Sequence, residues 1–541
     1  MLGYLFDESY EKRAKGTFKA AVYIVLLYLG ISLGFATLAP IVASTPPSVI
    51  TAEPPVSRPQ TASCKVTLVE NQTFAPGVNQ PFLGDYTPPR NCSPPWAMII
   101  LDWNGSVPVG QYDRVGGIWI GRSEVFRFTT PENGGQEWHS EKDVSEYAAL
   151  LGRNQTVTII ISVPVGRMIG SASLAFYVTS LSFPAAPHPD DVVSVGNSGT
   201  IPWFRVDRVA VVSQNISLPV NMVQVYLELY ATPHLCEETW FSHNLVPNNG
   251  CNGPSSQESF REIQVSVDGM LVGVIWPFPF IYMGGLNGDL WELIPPVSAL
   301  DVPPYRVNLT PFIGILGDGN THTLVVQVVN NQGYWLVDAN LMVSLDASNR
   351  TQGKLVMNNM TPSASLDVSP ILPIQTSAKR SITISGYVNT SIGQIRSEVQ
   401  QNLLFTDNLT PDILDLSVEV IASAIRETTT TTVAPNGTSV RSTSDSYTVS
   451  IREGLPVESG PIRFLTTYIV DQVSAHTTIG DVGTDRELTA TNVDIIHAEH
   501  EGLTSEHFIS NERGCFNHYL AALQGSIISD GYSPICPRSR L

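Results

Sequence analysis

The sequence predicts an all-β protein built from β-sandwiches behind one N-terminal membrane-spanning segment. Three observations carry this. Short apolar or alternating runs recur roughly every ten residues, broken by Gly, Pro and Asn. Charged residues make up only 15%, with 41 Gly and 39 Pro, a composition suited to strands and turns rather than charged helices. Residues 20–51 contain no charge at all.

At the start of the chain, Arg13, Lys15 and Lys19 precede the strongly apolar AVYIVLLYLGISLGFATLAPIVAS. A helix needs about 20 apolar residues to cross a bilayer, where no water satisfies stray backbone groups. The basic residues orient such a helix with 1–19 in the cytoplasm and the rest outside. The expected division is a cytoplasmic 1–19, a transmembrane signal-anchor at 20–44 and a Pro-rich extended spacer at 45–63. The alternative is a signal peptide cleaved near Ala43 and Ser44, giving a secreted protein. Either way the body is extracellular or lumenal.

Export agrees with the cysteines. Six are spread over 541 residues: Cys64, Cys92, Cys236, Cys251, Cys515 and Cys536. An even number in an oxidising space is expected to form disulfides, and sequence neighbours pair as 64–92, 236–251 and 515–536, one of fifteen possible connectivities. Eleven Asn-X-Ser/Thr acceptors point the same way: Asn71, Asn91, Asn104, Asn154, Asn215, Asn308, Asn349, Asn359, Asn389, Asn408 and Asn436.

From Cys64 the strand pattern begins. WAMIILDW, GGIWIG, TVTIIISVPV and SLAFYVTSLSF fall in a first sandwich at 64–184; QVYLELYA, EIQVSVDG, TLVVQVVNN and LMVSLDA fall in a second at 201–346. PAAPHPDDVVSVGNSGT reads as the linker between them. Helical signal is confined to DVSEYAALL and an ambiguous TPDILDLSVEVIASAIRE. Residues 347–541 form a third, β-rich region, with a low-complexity loop or hairpin tip near 426–446. The formal charge of −19, without a basic stripe, excludes a protein that grips nucleic acid.

Chemistry has two candidate locations. In QYDRVGGIWIG, Asp113 stands at the mouth of a strand, where alternation groups it with Val115, Gly117 and Trp119 and sends Arg114 to the other face. It is either a general base or an ordinary turn carboxylate. In HLCEETWFSHN, Glu237 and Glu238 lie beside Trp240 and Phe241, and burial against aromatics raises a carboxyl pKa. His234, Cys236, His243 and Cys251 are possible zinc ligands, but the spacing matches no zinc signature and the cysteines are better used in a disulfide. His497, Glu499, His500 and Glu501 resemble a ligand cluster without a fixed frame and read as a solvated loop.

Long segments carry a resemblance. CKVTLVENQTF, PFLGDYTPP, CSPPWAMIILDW, GQYDRVGGIWIGRSEVFRFTTPE, the stretch from FREIQVSVDG to PFIGILGDG and NNQGYWLVDANLMVSLD resemble the peptide:N-glycosidase A-type amidases of plants and fungi. The resemblance is strong over 64–346 and thinner to CFNHYLAALQGSIISDGYSPIC near the end. It implies hydrolysis of the amide joining an asparagine side chain to N-acetylglucosamine, giving aspartate and a glycosylamine. By analogy with bacterial F-type enzymes it also implies two side-by-side jelly-roll sandwiches. Their catalytic aspartate lies in a Trp-Asp-Arg-aromatic stretch, to which Tyr112-Asp113-Arg114 is similar, and their second acid lies two residues after a cysteine, which selects Glu238. Their third acid would fall near Ser162, where no carboxylate stands.

The roles expected on physical grounds are Asp113 activating water or acting through the glycan-side hydroxyls, and Glu238, kept partly protonated by its aromatic neighbours, polarising the carbonyl or hydrogen-bonding to it. Arg114, Trp119 and Trp240 are candidate substrate-binding residues: Arg114 either holds Asp113 ionised or faces the core, and the indoles are either sugar platforms or core residues of the sandwiches. The expectation is a metal-independent, cofactor-free monomer whose partners are a glycopeptide and the membrane. The second reading is a non-catalytic surface lectin or adhesin on the same scaffold.

Overall fold

The computed structural model describes residues 48–77, 80–162, 166–199, 201–243, 259–286, 291–369, 371–412, 417–454, 466–479, 482–496, 500–511, 515–523 and 525–536. The predicted anchor at 20–44, Cys251, His497 and Glu499 lie outside the described residues. Among the described residues no helix is long and apolar enough to cross a membrane. The chain is all-β, and the strands form three assemblies.

The first comprises β1 (Ser48–Val49), β2 (Ser63–Phe74), β3 (Phe82–Tyr86), β4 (Trp96–Val107), β5 (Val115–Ile120), β6 (Ser123–Thr129), β7 (Gln136–Asp143), β8 (Gln155–Ile161) and β9 (Met168–Val178). They make a five-stranded sheet, β1-β7-β4-β9-β2, and a four-stranded sheet, β3-β8-β5-β6. The buried core between them includes Phe74, Ile99, Trp103, Ile118, Phe128 and Phe176, supplied by the alternating runs. DVSEYAALL provides only a short turn, Ser145–Tyr147, and one helical turn, Ala148–Leu151.

The second assembly holds β10 (Asp191–Ser194), β11 (Phe204–Val206), β12 (Val212–Ile216), β13 (Met222–His234), β14 (Glu262–Val267), β15 (Met270–Ile275), β16 (Tyr305–Asn308), β17 (His322–Val329) and β18 (Tyr334–Leu345). One sheet runs β10-β18-β13-β16 with β11 also on β18; the other runs β12-β17-β14-β15. The third is one antiparallel sheet between Gln352 and Tyr532, including β19 (Gln352–Asn358), β20 (Ser365–Ser369), β21 (Ile374–Thr390), β22 (Gly393–Asp412), β23 (Ser417–Ala434) and β24 (Gly437–Gly454). Its Ala378, Ile382, Phe405 and Tyr447 join the core of the second sandwich.

Two open local readings are resolved and one changes. The low-complexity stretch near 426–446 is the paired ends of β23 and β24, whose turn lies between Ala434 and Gly437. Threonine runs suit strands because a β-branched side chain packs on a pleated surface, and the Thr429 and Ser442 hydroxyls bond across the hairpin at 3.1 Å. TPDILDLSVEVIASAIRE resolves to strand at both ends, in β22 and β23. The region expected as an extended Pro-rich spacer, 45–63, is tied to the body from Ser48: β1 pairs in parallel with β7, and Val49 and Ala52 are buried. The Ala52 amide donates to the buried Glu506 carboxylate at 2.9 Å, and His518 Nδ1 lies 3.0 Å from the Ala52 carbonyl. A few apolar residues inside a Pro-rich run are enough to dock it. Glu506→Ala is expected to cost about 1–3 kcal/mol by orphaning a buried amide; a lower melting temperature and faster proteolysis within 48–63 check this.

Cys64 is bonded to Cys92 and Cys515 to Cys536, and Cys236 is also in a disulfide. None of the eleven Asn acceptors is buried; Asn308 and Asn408 are half-buried and the rest exposed.

Candidate active site

Two strand mouths build the site. The β5–β6 hairpin, in register at Val115 opposite Thr129, continues beyond its strands. Thr130 donates its amide to the Arg114 carbonyl at 2.9 Å, and Gln111 donates to the Glu132 carbonyl at 2.9 Å. The Arg114 amide is fixed by Thr130 Oγ1 at 3.0 Å. These bonds hold 111–114 and 130–132 side by side, so Asp113 and Glu132 leave the same end of the sheet.

The second mouth is the end of β13. His234 pairs with Tyr334 of β18, and the chain then turns through Leu235, whose φ of 58° is left-handed. A short turn over Leu235–Glu237 follows, and Glu238 Oε1 accepts the Leu235 amide at 3.0 Å. That bond offsets part of the cost of the unusual backbone, and the absence of a side chain at Gly333 leaves room for the turn. A Cβ at Gly333 would lie 2.6 Å from the His234 carbonyl oxygen.

The two adjacent glutamates have different fates. Glu237 is buried and grips Arg261 through two bonds, at 2.7 and 2.9 Å. It also accepts Trp335 Nε1 at 2.8 Å and the Gln332 amide at 2.6 Å. Burial works to raise its pKa, but Arg261 and these donors hold it below the ordinary glutamate range. Glu238 is half-buried at the surface of the turn.

A segment from the second sandwich closes the group. Tyr282 is buried; its hydroxyl donates to the Pro233 carbonyl at 2.8 Å and lies 3.2 Å from His234 Nε2. Gly284 donates its amide to the Asp113 carboxylate. Burial raises the Asp113 pKa, while Arg114 and the Gly284 amide oppose the rise. Burial lowers that of Arg114, and Asp113, Glu132, Tyr112 and Glu238 all work to raise it. Tyr282 is pushed well above its usual value by burial and then by the Glu238 and Asp113 charges. Asp113 and Glu238 therefore come from different sandwiches and act on the same two side chains. His234, stacked on Tyr334 with ring centroids 5.0 Å apart, is pushed down to about 3 by burial and so stays neutral.

Arg114 donates Nη1 to the Asp113 carbonyl at 2.6 Å and lies over the exposed Tyr112 ring. Its Nε and Nη2 are buried and have no hydrogen-bond partner among the described residues. Trp119 and Trp240 lie elsewhere. Trp119 is 0% exposed and donates to Asp338 at 2.6 Å across the boundary between the sandwiches. Trp240 is 2% exposed, edge-on to Phe241. Neither indole presents an open face to a sugar here, because both faces of β5 are covered and the turn after Glu238 folds into the second core. Tyr112, 66% exposed next to Asp113, is the aromatic ring that does face solvent.

Of the possible zinc ligands, Cys236 is in a disulfide, His234 is stacked as described, and His243 is bonded in the core to Asp407. A different group has ligand geometry. Asp102 and His139 are 2.8 Å apart on neighbouring strands, with Glu141 Oε1 3.6 Å from the same ring nitrogen, although Arg58 also binds Glu141. Sequence reasoning missed this group because its members align only when β4 pairs with β7. It also missed Glu132 and Tyr282, which lie within the segments that carry the family resemblance.

Residues 53–362 match the model of the family described as peptide N-acetyl-beta-D-glucosaminyl asparaginase amidase A. The chain belongs to this family. The peptide-N4-(N-acetyl-beta-glucosaminyl)asparagine amidase A of Prunus dulcis is 30% identical over 406 residues, covering 68% of this chain and 70% of the relative. Among solved structures, a peptide-N(4)-(N-acetyl-beta-D-glucosaminyl) asparagine amidase aligns at 16% identity and TM-score 0.35 over 52% of this chain and 96% of its own. PNGF-II aligns at 14% identity and TM-score 0.37 over 52% and 66%. Within the amidase A family match lie both strand mouths, Asp113, Glu132, Glu238 and Tyr282.

Proposed function

We propose that this chain is a peptide-N4-(N-acetyl-beta-glucosaminyl)asparagine amidase, hydrolysing the amide between asparagine and N-acetylglucosamine of N-linked glycans on glycopeptides and glycoproteins. Family membership supports the activity. The observation that carries the residue assignment is the shared action of Asp113 and Glu238 on Arg114 and Tyr282.

An amide is a poor electrophile with a poor leaving group, so the site must activate water and stabilise the tetrahedral oxyanion. Ionised Asp113 takes a proton from water as its oxygen attacks the side-chain carbonyl carbon. Arg114 Nε and Nη2 are donors suited to the oxyanion, and Glu238 binds the amide or the adjoining sugar. As the C–N bond breaks, the proton passes to nitrogen. The products are an aspartate carboxyl and a glycosylamine. Tyr112 replaces the two indoles as the candidate platform for a sugar ring.

The reaction as drawn needs no metal, and activity is expected to survive exhaustive chelation. We further read both sandwiches as jelly rolls, supported by the orders β2-β9-β4-β7 opposite β3-β8-β5-β6 and β11-β18-β13-β16 opposite β12-β17-β14-β15. The expected topology is a monomer with its body outside the cytoplasm, anchored by 20–44; the disulfides and exposed acceptors support export. Incubating the full chain in detergent with a glycopeptide tests the function: release of glycan with conversion of Asn to Asp supports it. Glycan binding without product at any pH supports the lectin alternative instead.

A further inference from the structure

We propose that Glu132 is a positioning residue for Asp113, the two carboxylates forming a pair that holds one proton between them. The inference rests on Asp113 acting as the base and deepens that assignment. A Cβ added to Gly284 would lie 2.4 Å from Glu132 Oε2 and 3.2 Å from Asp113 Oδ1, so both carboxylates converge on one glycine. The missing side chain at 284 leaves the room in which they meet. The hairpin bonds between 111–114 and 130–132 hold them there from opposite strands.

Two carboxylates sharing a site cannot both ionise freely, and their protons leave in coupled steps. The groups facing the pair are Arg114 and Tyr112 from the same strand mouth, Glu238 from the end of β13, and Tyr282 beside Gly284. Arg114 feels Asp113 and Glu132 alike, and one cation beside three carboxylates favours retention of a proton. That proton count suits the reaction. A singly protonated pair accepts one proton from the attacking water, gives one to the departing nitrogen and ends as it began.

The test follows the Asp113 carboxyl directly, in the full chain carrying aspartate labelled with carbon-13 at the carboxyl, its signal assigned by loss in Asp113→Asn. The wild type is expected to titrate in two steps. Glu132→Gln is expected to lose the upper step, Glu132→Asp to keep it, and Gly284→Ala, which displaces Glu132 without removing its charge, to lose it too. On a glycopeptide, the alkaline fall in kcat/KM through that upper step is expected to disappear in Glu132→Gln. Superimposable Asp113 curves in the wild type and Glu132→Gln overturn the pair. A coupled titration in a chain that fails to convert Asn to Asp leaves the pair standing and removes the amidase reading instead.

Discussion

Asp113→Asn is expected to abolish glycopeptide hydrolysis, by about 10²–10⁴-fold for a lost general base, while raising the melting temperature at neutral pH. Both effects have one cause. Burial makes the folded protein bind the Asp113 proton more tightly than the unfolded chain does. The stabilisation from that proton is complete below the ordinary aspartate range and is lost as pH rises through the elevated folded value. At neutral pH an ionised, half-buried carboxylate therefore works against folding, and the neutral amide relieves it. The gain in melting temperature is expected to vanish as pH falls below the aspartate range. A variant that keeps its hydrolysis rate within a small factor of wild type removes Asp113 from the mechanism; one that melts lower at neutral pH contradicts the burial argument.

The second large effect separates two neighbours. Glu237→Ala is expected to lose about 3–5 kcal/mol, because Arg261 is left as a buried charge without its partner. Trp335 and the Gln332 amide lose an acceptor as well. Glu238→Gln is expected to melt like the wild type yet lose about 10²-fold or more in kcat, since a glutamine carbonyl can still accept the Leu235 amide while the charge that acts on Arg114 and Tyr282 is gone. Thermal melts and steady-state kinetics on the same two variants decide the matter. If Glu237→Ala folds normally and Glu238→Gln hydrolyses normally, the division of labour in the turn is wrong.

This pair shows how far the sequence reaches. Spacing from Cys236, through a family resemblance, selected Glu238 over Glu237, and nothing in the local string distinguishes their environments. The distinction is made by Arg261, which reaches Glu237 from another strand. Trp240 was a reasonable sugar platform from its place two residues after Glu238; its burial comes from the turn folding it against the second core. Trp119 is similar: alternation places it on a face of β5, but only the neighbouring sandwich decides that the face is covered.

The sequence by itself determined the strand-rich class and the family and singled out Asp113 and Glu238 as candidates, since period-two alternation, turn residues and motif order are local properties of the chain. The tertiary structure alone decided that Glu132 converges with Asp113 on Gly284, that Tyr282 and Arg114 join the two acids, that the N-terminal run docks on Glu506, and that both indoles are spent on packing. Burial and charge pairing are properties of what lies opposite a residue, and residues far apart in the chain become opposite only when sheets pack.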